Sequence, residues 1–131
     1  MKTSRRILIV DDHGVVRDGM NMRISREPDL EVCGEAADED EALVMMREVV
    51  PDLVVVDISL KTGHGISLIK QIKSRYQNVS MIVVSGYDES LYAVRSLRAG
   101  AMGYINKREA NEKLIDGIRS VLDGKVFVSP T

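Results

Sequence analysis

Five short runs rich in Val, Ile and Leu recur along this 131-residue chain and alternate with stretches of helical apolar spacing. Runs of this kind are typical of strands buried on both faces of a parallel sheet, in which helices form the crossover connections. The pattern therefore predicts five βα units in one α/β domain. For this length we expect a doubly wound sheet with strand order 2-1-3-4-5. The runs cover residues 6–10, 30–37, 53–56, 81–84 and 102–106.

Apolar residues at helical spacing predict one helix after each run. The second helix has the clearest start, because Asp38 is a good N-cap residue and Glu41 follows three residues later, as in a capping box. The fourth helix carries few apolar residues, so we expect it to be the least firmly packed. Five such βα units predict a flavodoxin-like fold. The helices are expected after Asp12, from Asp38, from about Ile66, from Asp88 or Ser90, and over Ala110 to Leu122.

Polar residues follow four of the five runs, at or just past the point where each strand is expected to end. Ligands of parallel α/β sheets bind outside the carboxyl ends of the strands. We therefore expect three carboxylates, one hydroxyl and one ammonium to share a single crevice. The residues that supply these groups are Asp11, Asp12, Asp57, Ser85 and Lys107.

Three neighbouring carboxylates repel one another, at about 4 kcal/mol for each pair that lies about 4 Å apart in an effective dielectric near 20. A bound cation or an added proton must offset this cost. Carboxylate oxygens with no adjacent cysteine or histidine pair favour Mg²⁺ or Mn²⁺ over zinc. Lys107 cannot bind a metal ion, but its ammonium is suited to a phosphoryl oxygen, and the Ser85 hydroxyl can donate to another.

Asp57 is the candidate nucleophile, because it stands alone at the end of the most apolar run, which we expect to form the central strand. A carboxylate beside a divalent cation and an ammonium can attack phosphorus and form an aspartyl phosphate. Asp11 and Asp12, adjacent at the end of the neighbouring strand, are then the candidate metal ligands. His13 and His64 are interpreted as solvated loop histidines rather than as metal ligands or phosphoryl carriers.

Net charge, cysteine content and the N-terminal residues indicate which classes of protein are compatible with this sequence. Formal net charge is −2 with acidic and basic residues interspersed, which argues against a nucleic-acid-binding surface on this domain. The single cysteine, Cys33, is predicted to be a small core residue, and a chain without an internal disulfide suits a reducing cytoplasm. Only four apolar residues follow the basic N-terminus, too few for a signal peptide or a membrane span. We expect a cytoplasmic domain over residues 1–124, with residues 125–131 starting a linker or forming a short docking strand.

Together these residues resemble the receiver domain of two-component response regulators, over essentially the whole chain. The resemblance implies that Asp57 is the phosphoacceptor and that Lys107 contacts the phosphoryl group. It also implies that Ser85 and Tyr104 are the switch hydroxyl and the switch aromatic residue. Mg²⁺ is the implied cofactor, with Mn²⁺ as an alternative ion. Its implied ligands are Asp11, Asp12, Asp57 and the backbone carbonyl of Ser59.

Three stretches are similar to the NarL/FixJ subfamily, namely residues 11–13, 100–104 and 123–126. This resemblance implies a sensor histidine kinase as phosphodonor, a phosphorylation-dependent homodimer and control of transcription. DNA would then be bound only through an appended LuxR-type helix-turn-helix domain outside this chain, and no membrane would be involved. The chain departs from the family at position 61, where a lysine replaces the frequent proline and leaves the rigidity of that loop open.

Two other functions are compatible with an acidic crevice. One is a Mg²⁺-dependent phosphohydrolase that works through an aspartyl phosphate. Haloacid-dehalogenase-type enzymes, however, need a second Asp two residues after the nucleophile, where this chain has Ser59. The other is an interaction module with a vestigial pocket, but such modules commonly lack part of the acidic set, which is complete here. The sequence therefore favours a phosphoacceptor switch, rather than an enzyme, with slow self-catalysed phosphotransfer and dephosphorylation.

Overall fold

The computed structural model of the protein describes residues 4–57, 65–86 and 90–128. Strands and helices alternate along these residues, as the apolar runs predict. The strands are β1 (Arg5–Val10), β2 (Leu30–Ala36), β3 (Leu53–Asp57), β4 (Ser80–Ser85), β5 (Gly103–Asn106) and β6 (Phe127–Val128). The helices are α1 (Gly14–Ser25), α2 (Glu39–Val49), α3 (Gly65–Arg75), α4 (Ser90–Ala99) and α5 (Ala110–Leu122), with a 3-10 turn at Lys107–Glu109.

The strands form one parallel sheet in the order β2-β1-β3-β4-β5-β6. The predicted flavodoxin-like order of the first five strands is confirmed, and β3 lies centrally between β1 and β4. The expected count of five strands is corrected, because residues 127 and 128 add a sixth strand beside β5. The Phe127 amide continues this pairing by donating to the Met102 carbonyl at 3.0 Å. The domain boundary at residue 124 stays a prediction.

Two apolar layers cover the two faces of the sheet. Because side chains alternate along a strand, Leu8 and Val10 contribute to one layer while Ile7 and Ile9 contribute to the other. Residues of α2 and α3 complete the first layer, and residues of α1 and α5 complete the second. Each large aliphatic side chain buried in this way contributes roughly 1.5–3 kcal/mol. Burial on both faces therefore holds the strand ends in fixed relative positions.

The start of α2 shows the predicted capping interaction. The Asp38 carboxylate accepts a hydrogen bond from the Glu41 amide at 2.8 Å, and the Glu41 carboxylate accepts one from the Ala37 amide at 3.1 Å. The return bond thus goes to the residue before the N-cap. Such a cap stabilises a helix by about 1 kcal/mol.

Cys33 packs against the core from β2 but is only half-buried. Its thiol lies 3.4 Å from the Ile7 carbonyl oxygen, to which it donates a weak hydrogen bond. Burial raises the pKa of this thiol, which disfavours the reactive thiolate. The side chain therefore acts as a small packing residue, as predicted.

α5 approaches the sheet closely at the start of β5. A Cβ atom at Gly103 would lie 2.6 Å from Ile82 Cγ1, and one at Gly117 would lie 2.8 Å from Ile82 Cδ1. These glycines allow the helix to pack directly over β4 and β5. The turn that begins at Lys107 is consequently held between a buried strand and a firmly packed helix.

Candidate functional site

The acidic turn after β1 is built around Asp11, which is fully buried. One carboxylate oxygen, Oδ1, accepts a hydrogen bond from the His13 amide at 2.8 Å, and this local bond ends the strand before α1 begins. The Asp11 amide still pairs with β2 by donating to the Ala36 carbonyl at 3.0 Å. Backbone and side chain of Asp11 are therefore both held in place.

A polar network behind the turn supports this arrangement. Arg17 on α1 donates from Nη1 to the Asp11 carbonyl oxygen at 2.6 Å, and its Nε lies 3.2 Å from Glu35 Oε1. Asn21, one turn further along the helix, donates to Glu35 Oε2 at 2.8 Å. None of these three residues was predicted from the sequence as part of the site. The four-residue spacing on α1 and the position of Glu35 near the end of β2 are the signals that could have indicated them.

Asp57 is the last residue of β3 and is buried at the carboxyl edge of the sheet. Lys107 Nζ lies 3.2 Å from Asp57 Oδ2 and 3.8 Å from Asp11 Oδ2. The ammonium thus stands between two carboxylates from neighbouring strands. The predicted convergence of Asp11, Asp57 and Lys107 is what the structure shows.

Negative charge at the site is only partly compensated. Burial raises the pKa of Asp11, and the charge of Asp57 raises it further, against the lowering effects of the His13 amide and of Lys107. Asp11 Oδ2 and Asp12 Oδ2 are buried and accept no hydrogen bond from any residue that the structure describes, whereas Asp12 Oδ1 lies 3.0 Å from His13 Nδ1. Buried oxygens without donors are costly unless a cation binds them.

The donor set fits a divalent cation. Asp11, Asp12, His13 and Asp57 each offer one ligand atom, and these atoms lie within 4.8 Å of one another. Three carboxylates supply the hard oxygen atoms that Mg²⁺ prefers. Ser59, the fourth ligand implied by the family resemblance, lies outside the described residues, as do Lys61 and His64.

Ser85 and Tyr104 occupy the strands next to Asp57. Ser85 is buried at the end of β4, one residue beyond Val84, the cross-strand partner of Asp57. Tyr104 pairs with Val83 in the register of β4 and β5 and is only 3% exposed. Its ring therefore already belongs to the core layer on the α3 side. The role of Tyr104 as the switch aromatic residue stays a prediction.

His13 is closer to the acidic pair than its interpretation as a solvated loop residue suggests. Its side chain is 53% exposed, yet Nδ1 lies 3.0 Å from Asp12 Oδ1 and 3.3 Å from Asp11 Oδ1. The backbone bond to Asp11 turns the residue back over the pocket. The interpretation is thus incomplete, since the ring is solvated on one side and contacts both carboxylates on the other.

The family follows from comparison with known proteins. Residues 7–119 match the response regulator receiver domain. The chain belongs to this family. Oxygen regulatory protein NreC of Staphylococcus carnosus is 34% identical over 126 residues, which are 95% of this chain and 58% of that protein. DegU of Brevibacillus brevis, a transcriptional regulatory protein, is 29% identical over 95% of this chain and 52% of that protein.

Solved structures agree with this assignment. A two-component response regulator of the LuxR family from Aurantimonas superposes with a TM-score of 0.93 at 34% identity, covering 98% of this chain and 91% of that one. The isolated receiver domain of RcsB from Salmonella enterica, with the phosphomimetic BeF₃⁻, gives a TM-score of 0.89 at 25% identity. That match covers 97% of this chain and 94% of that one. The similarity supports the NarL/FixJ subfamily for this receiver domain.

Receiver domains are phosphoacceptor switches that bind Mg²⁺ at an acidic pocket. The acidic cluster of this receiver domain lies where such a pocket is required, at the carboxyl ends of β1 and β3. The chain spans 58% of the NreC sequence and 52% of the DegU sequence. Within the described ranges, no helix is both long and apolar enough to cross a membrane.

Proposed function

We propose that this receiver domain accepts a phosphoryl group on Asp57 from a phosphohistidine of a sensor histidine kinase. The observation that carries the proposal is the pairing of buried Asp57 with Lys107, 3.2 Å away, beside Asp11 Oδ2 and Asp12 Oδ2, which accept no hydrogen bond from any described residue. Transcription is the proposed output. A cytoplasmic location is proposed with it, because the phosphodonor and the DNA target are both cytoplasmic.

The reaction is an in-line displacement at phosphorus. A carboxylate oxygen of Asp57 attacks and forms the new P–O bond, while the P–N bond to the kinase imidazole breaks and its electron pair stays with the leaving nitrogen. Lys107 balances charge on one phosphoryl oxygen, and the Ser85 hydroxyl donates to another. Burial of Asp57 and Ser85 excludes bulk water from this side of the acceptor.

Asp11, Asp12 and Asp57, together with the backbone carbonyl of Ser59, are the proposed ligands of Mg²⁺, with Mn²⁺ as the alternative ion. When bound, the ion supplies positive charge for the phosphoryl oxygens. Asp11 Oδ2 and Asp12 Oδ2 support this assignment because they are buried and accept no hydrogen bond from the described residues. Arg17 holds the turn that presents them.

The proposed output surface is the face formed by α4, β5 and α5, with Ser85 and Tyr104 as the switch residues. Moving a population from 1:99 to 99:1 takes about 5.5 kcal/mol. A few charge-assisted hydrogen bonds to the phosphoryl group, at roughly 1.5–3 kcal/mol each, are sufficient. Homodimerisation through the altered face, with DNA bound through an appended helix-turn-helix domain, is the proposed consequence.

A phosphorylation assay tests the acceptor. With Mg²⁺ and a small phosphodonor, the wild-type protein should gain one lasting phosphoryl group by intact mass, and the Asp57→Asn protein should gain none. Asp116→Asn is the matched control, because Asp116 is exposed on α5 and should leave the gain intact. A gain that survives in Asp57→Asn at the same site contradicts the assignment, and repeated turnover of the donor would instead indicate a phosphohydrolase.

A further inference from the structure

His13 is placed as a donor to the acidic pocket rather than as a cap of the helix it precedes. It is the N-cap residue of α1, yet its side chain makes no capping hydrogen bond. Instead, its Nδ1 lies 3.0 Å from Asp12 Oδ1 and 3.3 Å from Asp11 Oδ1. An imidazole nitrogen therefore lies directly beside carboxylate oxygens that face the pocket.

The pocket itself has the features of an ion site. Asp11 is fully buried, and its Oδ2 accepts no hydrogen bond within the described part of the chain. The four potential ligand atoms of Asp11, Asp12, His13 and Asp57 lie within 4.8 Å of one another. Opposite ligands of an octahedral ion with bonds of about 2.1 Å are roughly 4 Å apart. The present spread thus needs only a small contraction to surround one ion.

An imidazole nitrogen changes which ion such a pocket prefers. Mg²⁺ and Mn²⁺ prefer oxygen ligands, whereas Co²⁺ and Zn²⁺ bind imidazole well. We propose that His13 is an additional metal ligand that makes this pocket selective for Co²⁺ and Zn²⁺ over Mg²⁺. The inference rests on the proposed metal site at Asp11, Asp12 and Asp57 and adds a nitrogen donor to it.

Such a ligand sets which ion the receiver domain holds. A transition ion bound through His13 occupies the position that Mg²⁺ needs, so the two ions compete for one pocket. The ratio of their affinities then depends on residue 13 as well as on the three carboxylates. Since the ring is half-exposed, it can reach an ion without disturbing the core.

Parallel titrations of metal-free protein with CoCl₂ and MgCl₂ test the proposal. His13→Asn keeps a good N-cap residue and should fold, which circular dichroism checks. We expect it to lose about tenfold or more in Co²⁺ affinity, since even groups that only orient a metal ligand contribute that much. Mg²⁺ affinity should change by less than about twofold, since Mg²⁺ prefers oxygen ligands. The visible absorption of bound Co²⁺ should also change, because a nitrogen ligand is lost.

His64→Asn is the matched control, because His64 is the only other histidine in the sequence. It should leave the ratio of affinities unchanged. The proposal is overturned if His13→Asn loses equal affinity for both ions or keeps its full affinity for Co²⁺. It is also overturned if His64→Asn changes the ratio of the two affinities. Asp12→Ala tests the underlying carboxylate site separately, because it should lower the affinity for both Co²⁺ and Mg²⁺. If it leaves both affinities unchanged, the proposed carboxylate site fails, whatever the histidine variants show.

Discussion

Two helices, α4 and α5, follow the last two long strands of the sheet, but they are attached to it very differently. On α5 the residues Leu114, Gly117, Ile118 and Val121 are buried. On α4 only Ser96 is buried among the side chains described, and Val94 is 42% exposed. The sparse apolar pattern of α4 predicts this weak attachment. One helix is therefore anchored, and the other is held by far less buried apolar surface.

This difference assigns separate tasks to the two helices. A switch needs an element whose alternative positions differ by only a few kcal/mol, and such elements come from the less stable parts of a fold. α4, which buries little apolar surface, is therefore the proposed movable element. α5 instead fixes the turn that carries Lys107, so the ammonium stays beside Asp57 at 3.2 Å. The proposed phosphoryl-binding ammonium is thus carried by the anchored part of the domain, and the proposed output helix belongs to the weakly anchored part.

The largest expected effect is the response of α4 to a phosphoryl mimic. Beryllofluoride with Mg²⁺ should shift the backbone amide resonances of residues 93–106 strongly and those of residues 114–122 weakly, because only the first segment changes position. A nearly complete switch corresponds to about 5.5 kcal/mol. Heteronuclear NMR spectra with and without the mimic measure it. Shifts confined to the surroundings of Asp12 and Asp57 would contradict the proposed coupling.

A smaller effect is expected from truncation of the anchored helix. Ile118→Ala should lower the free energy of unfolding by about 2–5 kcal/mol, because the side chain is fully buried between α5 and the sheet. Val94→Ala is the control on α4 and should change the free energy of unfolding by about 0.5 kcal/mol or less. Urea denaturation of both variants gives the comparison. Similar losses at the two positions would show that the helices are equally anchored.

The smallest effect concerns the buried carboxylate of Asp11, which lies 3.8 Å from the Lys107 ammonium in the turn before α5. Asp11→Asn should slightly raise the unfolding free energy of the metal-free protein at neutral pH, because burial disfavours the charged carboxylate. The raised pKa means that this carboxyl favours folding below its ordinary value of 3.8, and that the benefit is lost as pH rises through the raised pKa.

Chemical denaturation across pH 3 to 7, with EDTA present, measures this effect. Asp116→Asn is again the control, because an exposed carboxylate on α5 should change stability little. A destabilised Asp11→Asn protein without metal would show that the carboxylate has a net favourable role in the fold. With Mg²⁺ added, the wild-type protein should become more stable than Asp11→Asn, since that variant lacks one proposed metal ligand.

The sequence predicted the sheet and the convergence of the acidic residues because both depend on local patterns. Apolar runs define strands, and the carboxyl ends of parallel strands meet at one edge. Asp11, Asp57 and Lys107 follow directly from that rule. The order of the first five strands follows from chain length and crossover handedness.

Other features depend on contacts between residues distant in sequence and were not predictable in the same way. The Arg17 network joins α1 to β2, and its hydrogen bonds exist only once the two pack together. The approach of His13 to Asp12 depends on a side-chain rotation that no periodicity encodes. The tail was predicted either to start a linker or to form a short docking strand, and β6 at Phe127 and Val128 confirms the second alternative, but which strand it joins was not predicted.

The pairing of β6 with β5 has a mechanical consequence. Val128 is the register partner of Tyr104, so the end of the described chain runs alongside the strand that carries the proposed switch residue. A displacement of β5 would also displace these last residues, because the two strands are hydrogen-bonded. The orientation of any polypeptide attached there would then depend on the position of β5, so a conformational change could be transmitted through the backbone as well as through the α4–β5–α5 surface.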